Sequence, residues 1–521
     1  MKVAILDLLT DTPIRGPAGW LYGFYFRKQF VSIMPQILSV WCRQLGHDVA
    51  YATYYGQDYP ERLVPDDSDV IFISSYTKAS ALAYALAELF RRRGTLTVIG
   101  GPHARSFPTD CLRAFDIVVR NCDRNLVDDI LRGRIDPPAI VDTGRQLSEF
   151  PSVSERAREI EIASFHRGRR LATSIVPMLS SVGCPYSCHF CVDWNSTYVA
   201  MTPERLKEDL EFVSTRWPGI PIIYHDPNFA VRFDETMSVI ESLPEAARPD
   251  YFMESSLSIL KPDRLPRLKA THCIYVAPGI ESWTAYANKS GSSGTEGRRK
   301  LKGIVRHLRQ VLEHVPGVQA NFIFGGDEDF GDEPVELTLE FIETLPEVWP
   351  TINIPTPFGG TPLYDNWYRS GRILSRMPFS FYYNPWLTVV PANYTPLDYY
   401  TRLIRIHSAL TSSRMFIRRM TTNARPTIRF VDALRTAETR REISIMRSIQ
   451  NRLESDVEFR AFHEGRKVPL PRYYREIYQR RLGRYSELVR ETLISPVLEP
   501  PFCAAADGRS RVTFEQTGEP S

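Results

Sequence analysis

SSVGCPYSCHFCVDWN, residues 180–195, sets Cys184, Cys188 and Cys191 in the spacing C-x3-C-x2-C. Three of the chain's eight cysteines therefore fall within eight residues. Thiols crowded like this need a metal ion or a cluster between them. Zinc asks for a fourth ligand, yet no second C-x2-C follows, and His189 lies inside the motif. An iron–sulfur cluster held by three cysteines would leave one iron open to another ligand. The residues just before, LATSIVPMLSS, are apolar and read as a strand, so the cysteines stand on a loop at a strand end.

Working outward, residues 172–375 alternate strand and helix patterns. PIIYHDPNF, YFMESSLS, CIYVAPGIES, VQANFIFGGD and TINIPTPF are the later strands, with long helical patterns such as PERLKEDLEFVSTRW between them. Six parallel strands with helices outside make a partial barrel. Residues 1–145 form an earlier α/β series, with the strands KVAILDL, HDVAYATYY, SDVIFISSY, TLTVIGG and FDIVVR. Its order predicts a doubly wound parallel sheet, whose ligands sit outside the C-terminal strand ends. Those ends read SSYT (74–77), GGPH (100–103) and RNCD (120–123). Residues 146–171 read as a linker, 376–495 as a mainly helical Arg-rich region, and 496–521 as a Pro-, Gly- and Ser-rich disordered tail.

Composition bounds the rest. A chain of 521 residues with 43% apolar and 24% charged side chains can bury the cores of several domains. No apolar run approaches the ~18 residues of a membrane span. MKVAILDLLTD reads as a strand rather than a signal peptide, which predicts a cytoplasmic setting with reduced thiols. Cys42, Cys111, Cys122, Cys273 and Cys503 are scattered and read as small buried side chains. Net charge is only +3, but residues 401–490 carry 21 Arg plus Lys against 9 acids. Two readings of that excess stand: a solvated helical surface laced with ion pairs, or a contact surface for a phosphate-bearing or nucleic-acid partner.

The cysteine motif, with Phe190 before its last cysteine, resembles the radical SAM superfamily. The resemblance implies a 4Fe-4S cluster on Cys184, Cys188 and Cys191. S-adenosylmethionine would chelate the open iron and be split to a 5′-deoxyadenosyl radical, and Phe190 would set a ring near its adenine. Later segments resemble the same superfamily in order. HDPNF (225–229) is similar to its F-x-D-D-x-F segment, departing at Pro227. GIES (279–282), FIFGGDED and TPFGGTPLY are similar to its later strand ends. Asp226, Glu254, Glu281 and Ser282 are the implied contacts to S-adenosylmethionine. Asp327 and Asp329 either bind substrate or cap the following helix.

The first domain resembles the Rossmann-like cobalamin-binding domain that precedes many of these barrels. Ser74, Ser75, Thr77, Gly100, Gly101, Pro102 and His103 are the implied cobalamin contacts. The D-x-H-x-x-G loop that gives cobalt a histidine in the mutases is absent. Where the subfamily carries G-E-G-E, this chain reads Arg120-Asn121-Cys122-Asp123. The whole reads as a Rossmann-like sheet domain, a partial (β/α)6 radical SAM barrel and a helical C-terminal region.

The implied activity is cobalamin-dependent methylation of an unactivated carbon in a biosynthetic small molecule. One alternative is radical cyclisation, rearrangement or oxidation without methyl transfer; another is RNA modification. The expected partners are a substrate, either apolar or phosphate-bearing, and an electron donor such as flavodoxin or ferredoxin. Nucleic acid is not expected. FSFYYNPW (379–386) either lines an apolar pocket or belongs to the core, the commoner fate of aromatics at such spacing.

Overall fold

The computed structural model describes residues 1–501 other than 15–18, 22, 24–26, 58, 146, 148, 167–168, 171–173, 285–295 and 424. Its first sheet contains β1 (Lys2–Leu8), β2 (Asp48–Tyr54), β3 (Val70–Ser75), β4 (Leu96–Gly100), β5 (Ile117–Val119) and β6 (Ala139–Val141). The order is β2-β1-β3-β4-β5-β6, and every pairing is parallel. In β1, Ala4, Leu6 and Leu8 enter one core, while Val3 and Ile5 enter another. A strand buried on both faces must be apolar almost throughout, which is how KVAILDL reads. The chain leaves β1 for β2 on one side and returns to β3 on the other. The loops beyond β1 and β3 therefore part in opposite directions and open a crevice.

The second sheet begins at β7 (Val176–Met178), which leads into the short hairpin strands β8 (Ser181–Val182) and β9 (Val199–Ala200). It continues through β10 (Ile222–Tyr224), β11 (Tyr251–Ser256), β12 (Cys273–Glu281), β13 (Gly317–Ile323) and β14 (Trp349–Asn353). The order β14-β13-β12-β11-β10-β7 follows the chain strand by strand, all parallel, as the partial barrel requires. Along β13, Val318, Ala320 and Phe322 are buried, while Gln319, Asn321 and Ile323 line the inner cavity. That two-residue alternation gives the sheet an apolar outside under its helices and a polar inside.

Two expectations change here. The stretch 146–171 contains a helix, Ala157–Ser164, packed on the helix Ile33–Gln44. Ser39 donates to Glu159 at 2.8 Å and buried Arg156 to Gln36 at 2.7 Å, so this stretch is a strut rather than a loose linker. The tail is docked as far as residue 501: Val497 N–H donates to Asp110 at 2.7 Å, and Tyr364 donates to the Glu499 carbonyl at 2.8 Å. Residues 502–521, where that expectation also fell, lie outside the described residues. Most of the bases of 401–490 are exposed, many in ion pairs such as Arg405 with Glu336 and Arg472 with Glu476, each at 2.7 Å, as the solvated-surface reading has it; a few turn inward. Arg419 is buried over Trp349, Arg435 donates to Gln319 at 2.7 Å, and Arg481 lies over Phe381, Tyr383 and Trp386. Guanidinium stacking on aromatics explains why these inward-turned bases are Arg rather than Lys.

The aromatics Phe379, Phe381, Tyr382 and Trp386 are buried, so this stretch belongs chiefly to the core. Among the described residues no helix is long and apolar enough to cross a membrane.

Candidate active site

The cysteine loop hangs between the antiparallel strands β8 and β9. Gly183 opens it at φ +71°, where a Cβ would overlap the backbone carbonyl of Thr197. Only glycine fits both the left-handed turn and that contact. The Cys184 N–H donates to the Ser196 hydroxyl at 3.1 Å, and the Cys191 N–H to the Cys188 carbonyl at 3.0 Å. Cys184 and Cys188 are buried and Cys191 is half-buried. The donor set is thus three thiols on one tight loop, held from outside by Leu363 N–H, which donates to the His189 carbonyl at 3.0 Å. Three thiols within eight residues of one loop suit a cluster with one iron left open, although among the described residues no three His, Cys, Asp or Glu side chains are gathered as a metal site.

Asp226 anchors the entrance to that loop. Its buried carboxylate accepts from the Ser180 N–H, the Ser180 hydroxyl and the Ser181 hydroxyl, all at 2.6–3.1 Å. Burial pushes the carboxyl up to about 6 against those hydrogen bonds. Its expected place as a cofactor contact changes accordingly: its oxygens position the loop.

A cavity of about 730 Å³ fills the barrel mouth. Phe190, Glu254 at the end of β11 and Glu281 at the end of β12 all line it. Glu281 is held at φ +65°, a strained conformation for a residue with a Cβ. Gly279 makes room for it, since a Cβ there would overlap the Glu281 carboxylate. Buried Lys300 clamps the turn, donating to the carbonyls of Ser282 and Thr284, and burial lowers its ammonium to about 8. Ser282 lies beside the cavity rather than on it. Its hydroxyl meets Thr284 at 2.8 Å and donates to Asp329 at 3.3 Å.

Neither Asp327 nor Asp329 caps the helix Glu333–Thr344. Asp327 pairs with Arg372 at 2.8 Å, and Asp329 accepts from Gly325 N–H at 2.8 Å. The long helix Pro426–Ser455 contributes Glu438, Arg441 and Glu442 to the cavity, none of which the sequence marked as site residues. Arg441 pairs with Glu438 at 2.8 Å, while burial, with Glu438 next, pushes the Glu442 carboxyl up to about 7.

A second cavity, of about 640 Å³, opens at the β1/β3 switch point and the end of β4. Ser74, Gly100, Gly101 and Pro102 line it. Gly101, at φ +89°, leaves no room for a Cβ beside Ser74 and Ser75. The other three expected contacts turn away. Ser75 is buried and donates to the Tyr76 carbonyl at 3.0 Å, and Thr77 is buried in the turn that follows.

His103 is wholly buried, shares a 2.7 Å hydrogen bond with Tyr84, and packs on Phe107 and Phe379. Burial holds its imidazole down at about 3, so it is a neutral core histidine. The helix that starts at Pro102 rotates His103 inward. The cavity's far wall is Val192, Asp193 and Trp194 of the cysteine loop, with His225 from the end of β10. Its buried end is lined by Ile5, Phe72, Val98, Val127 and Ile130, and its lining also holds Arg105, Arg120 and Arg145, a donor set that suits the apolar base and the phosphate of a cobalamin tail.

No protein-family model matches the chain. It is 24% identical over 391 residues to the bacteriochlorophyllide d C-8(2)-methyltransferase of Chlorobaculum tepidum, covering 71% of this chain and 83% of that one. It is 23% identical over 421 residues to the hopanoid C-3 methylase of Methylococcus capsulatus, covering 75% and 79% respectively. Its fold is similar to that of OxsB, a cobalamin-dependent S-adenosylmethionine radical enzyme solved with aqua-cobalamin bound. There the TM-score is 0.56 at 12% identity, covering 94% of this chain and 79% of that one.

Proposed function

We propose that the chain is a radical SAM enzyme of the kind that carries a cobalamin-binding domain, and that it methylates an unactivated carbon of a biosynthetic small molecule; its likeness to the two methylases and to the OxsB fold supports this. One observation carries the reading. The cysteine loop is a wall of both cavities: Phe190 lines the barrel mouth, and Val192–Trp194 line the sheet-domain crevice. Cys191 lies between those two faces in sequence, so the cluster position adjoins both chambers. A second chamber beside the cluster position is what a methyl carrier would need.

When bound, the cluster and S-adenosylmethionine supply a 5′-deoxyadenosyl radical, and cobalamin supplies the methyl group to be transferred. The protein's part is holding and orienting. Cys184, Cys188 and Cys191 would ligate three irons. Phe190 would flank the adenine. Glu254 and Glu281 would accept hydrogen bonds from the ammonium or ribose of S-adenosylmethionine. The helices Pro396–Leu410 and Pro426–Ser455 cover the barrel and keep water from the radical.

The acidic lining suits a cationic cosubstrate: Asp11, Glu254, Glu281, Glu438 and Glu442 face two bases, Lys78 and Arg441. A cytoplasmic setting and a flavodoxin- or ferredoxin-type electron donor complete the proposal.

The test is a turnover assay under reducing, oxygen-free conditions with S-adenosylmethionine labelled on its methyl group. Label passing to the corrinoid fraction, together with 5′-deoxyadenosine, is the expected result. 5′-Deoxyadenosine with no label in the corrinoid would overturn the methyl-transfer reading.

A further inference from the structure

We propose that Arg120 and Arg145 bind the phosphodiester of cobalamin's nucleotide tail, taking over a segment where the subfamily's G-E-G-E is missing. The inference rests on the cobalamin reading above. The shape of the crevice is the first argument. Ile5, Phe72, Val98, Val127 and Ile130 line it and are each at most 5% exposed. Such a shaft accepts an aromatic base and offers nothing to a charge.

The charged groups stand where the crevice meets solvent. The side chains of Arg105 and Arg120 are 39% and 29% exposed. A base buried in the shaft would carry its linked phosphate to this rim.

Charge is the second argument. The crevice lining holds three guanidiniums, Arg105, Arg120 and Arg145, against one carboxylate, Asp193. The barrel cavity beside it has the opposite balance. An anion therefore belongs in the crevice, and the cationic sulfonium and ammonium of S-adenosylmethionine belong in the barrel.

The state of the arginines is the third argument. The Arg120 Nε is buried without a hydrogen-bond partner, and its Nη1 meets Asp142 only at 3.5 Å. The Arg145 guanidinium has no hydrogen-bond or ion-pair partner among the described residues; only its backbone carbonyl accepts, from Thr143. Arg105 is partly engaged, with Asp193 at 3.4 Å. A buried unpaired guanidinium N–H is costly unless a ligand completes it, and a phosphodiester matches the guanidinium fork.

The experiment titrates the full-length protein, with its cluster reconstituted, against hydroxocobalamin, cobinamide phosphate and cobinamide, following the corrin absorbance. Cobinamide keeps the corrin but lacks phosphate and base. The expected result is a gain in affinity of roughly tenfold or more from cobinamide to cobinamide phosphate. Arg120→Gln and Arg145→Gln should each erase most of that gain and leave cobinamide affinity unchanged. Equal affinity of the unmodified protein for cobinamide and cobinamide phosphate would overturn the proposal while leaving cobalamin binding standing, and that comparison needs no variant to fold. Variants that weaken all three corrinoids alike would also overturn it. No binding of any corrinoid would remove the cobalamin reading itself.

Discussion

The carboxylate of Asp226 accepts the Ser180 N–H at 2.9 Å and the Ser180 hydroxyl at 2.7 Å, four residues before the first cysteine. The end of β10 thereby fixes the start of the cysteine loop. Burial raises this carboxyl from 3.8 to about 6, so the folded chain holds the proton more tightly than the unfolded one. That contribution to stability is fully present below about pH 4 and is lost as pH rises through about 6. Asp226→Asn keeps the shape and removes the titration. The native protein's stability, measured relative to the variant without added iron, should therefore fall over that window by on the order of 1–3 kcal/mol. Thermal unfolding between about pH 4.5 and 7.5 checks this; a constant difference would contradict it.

Gly183→Ala should cost the cluster. The added Cβ meets a backbone carbonyl, which cannot step aside as a side-chain tip could, and φ +71° is strained for alanine. The strain is on the order of 1–3 kcal/mol, enough to displace the loop but not to unfold both sheets. Reconstituted variant should hold less than half the native iron and sulfide while its far-UV circular dichroism stays native. Iron at the native level would show that the loop tolerates the side chain.

Lys300→Met tests the strained turn at Glu281. The lysine donates to two carbonyls there, and losing it leaves both without their partner at about 1–3 kcal/mol each. Glu281 should then relax from φ +65°, and affinity for S-adenosylmethionine should drop roughly tenfold with cluster content unchanged. Calorimetric titration of S-adenosylmethionine into the reconstituted variant measures it. Native affinity would mean that the turn holds Glu281 without the lysine.

Much of this site was legible because its chemistry is local in sequence. The cysteine spacing, the glycine before it and the strand-end residues Glu254 and Glu281 all lie on short stretches whose geometry the backbone dictates. The reading failed where a side chain's direction depends on a neighbouring element. His103 sits in a stretch that matches a cofactor-binding strand end, yet one residue into a helix it points into the core beside Tyr84. Asp226 reads as a cofactor contact until Ser180 and Ser181 are seen to take its oxygens.

Glu438, Arg441 and Glu442 share one face of a helix at i, i+3 and i+4, a pattern visible in the sequence. Which way that face turns is set by Arg435 reaching Tyr275 and Gln319 on the barrel strands, some 116 to 160 residues earlier in the chain. The inward turn of Arg419, Arg435 and Arg481 was hidden for a related reason: stacking partners such as Trp349 and Trp386 lie far off in sequence.

The most direct measurement is an absorption spectrum of protein purified without oxygen and reconstituted with iron, sulfide and hydroxocobalamin, beside a Cys184→Ala/Cys188→Ala/Cys191→Ala variant. The account expects cluster absorbance in the native protein that is lost in the variant, and a corrin band retained by both. A native protein that takes up no cluster, or a corrin band missing from both, would contradict it.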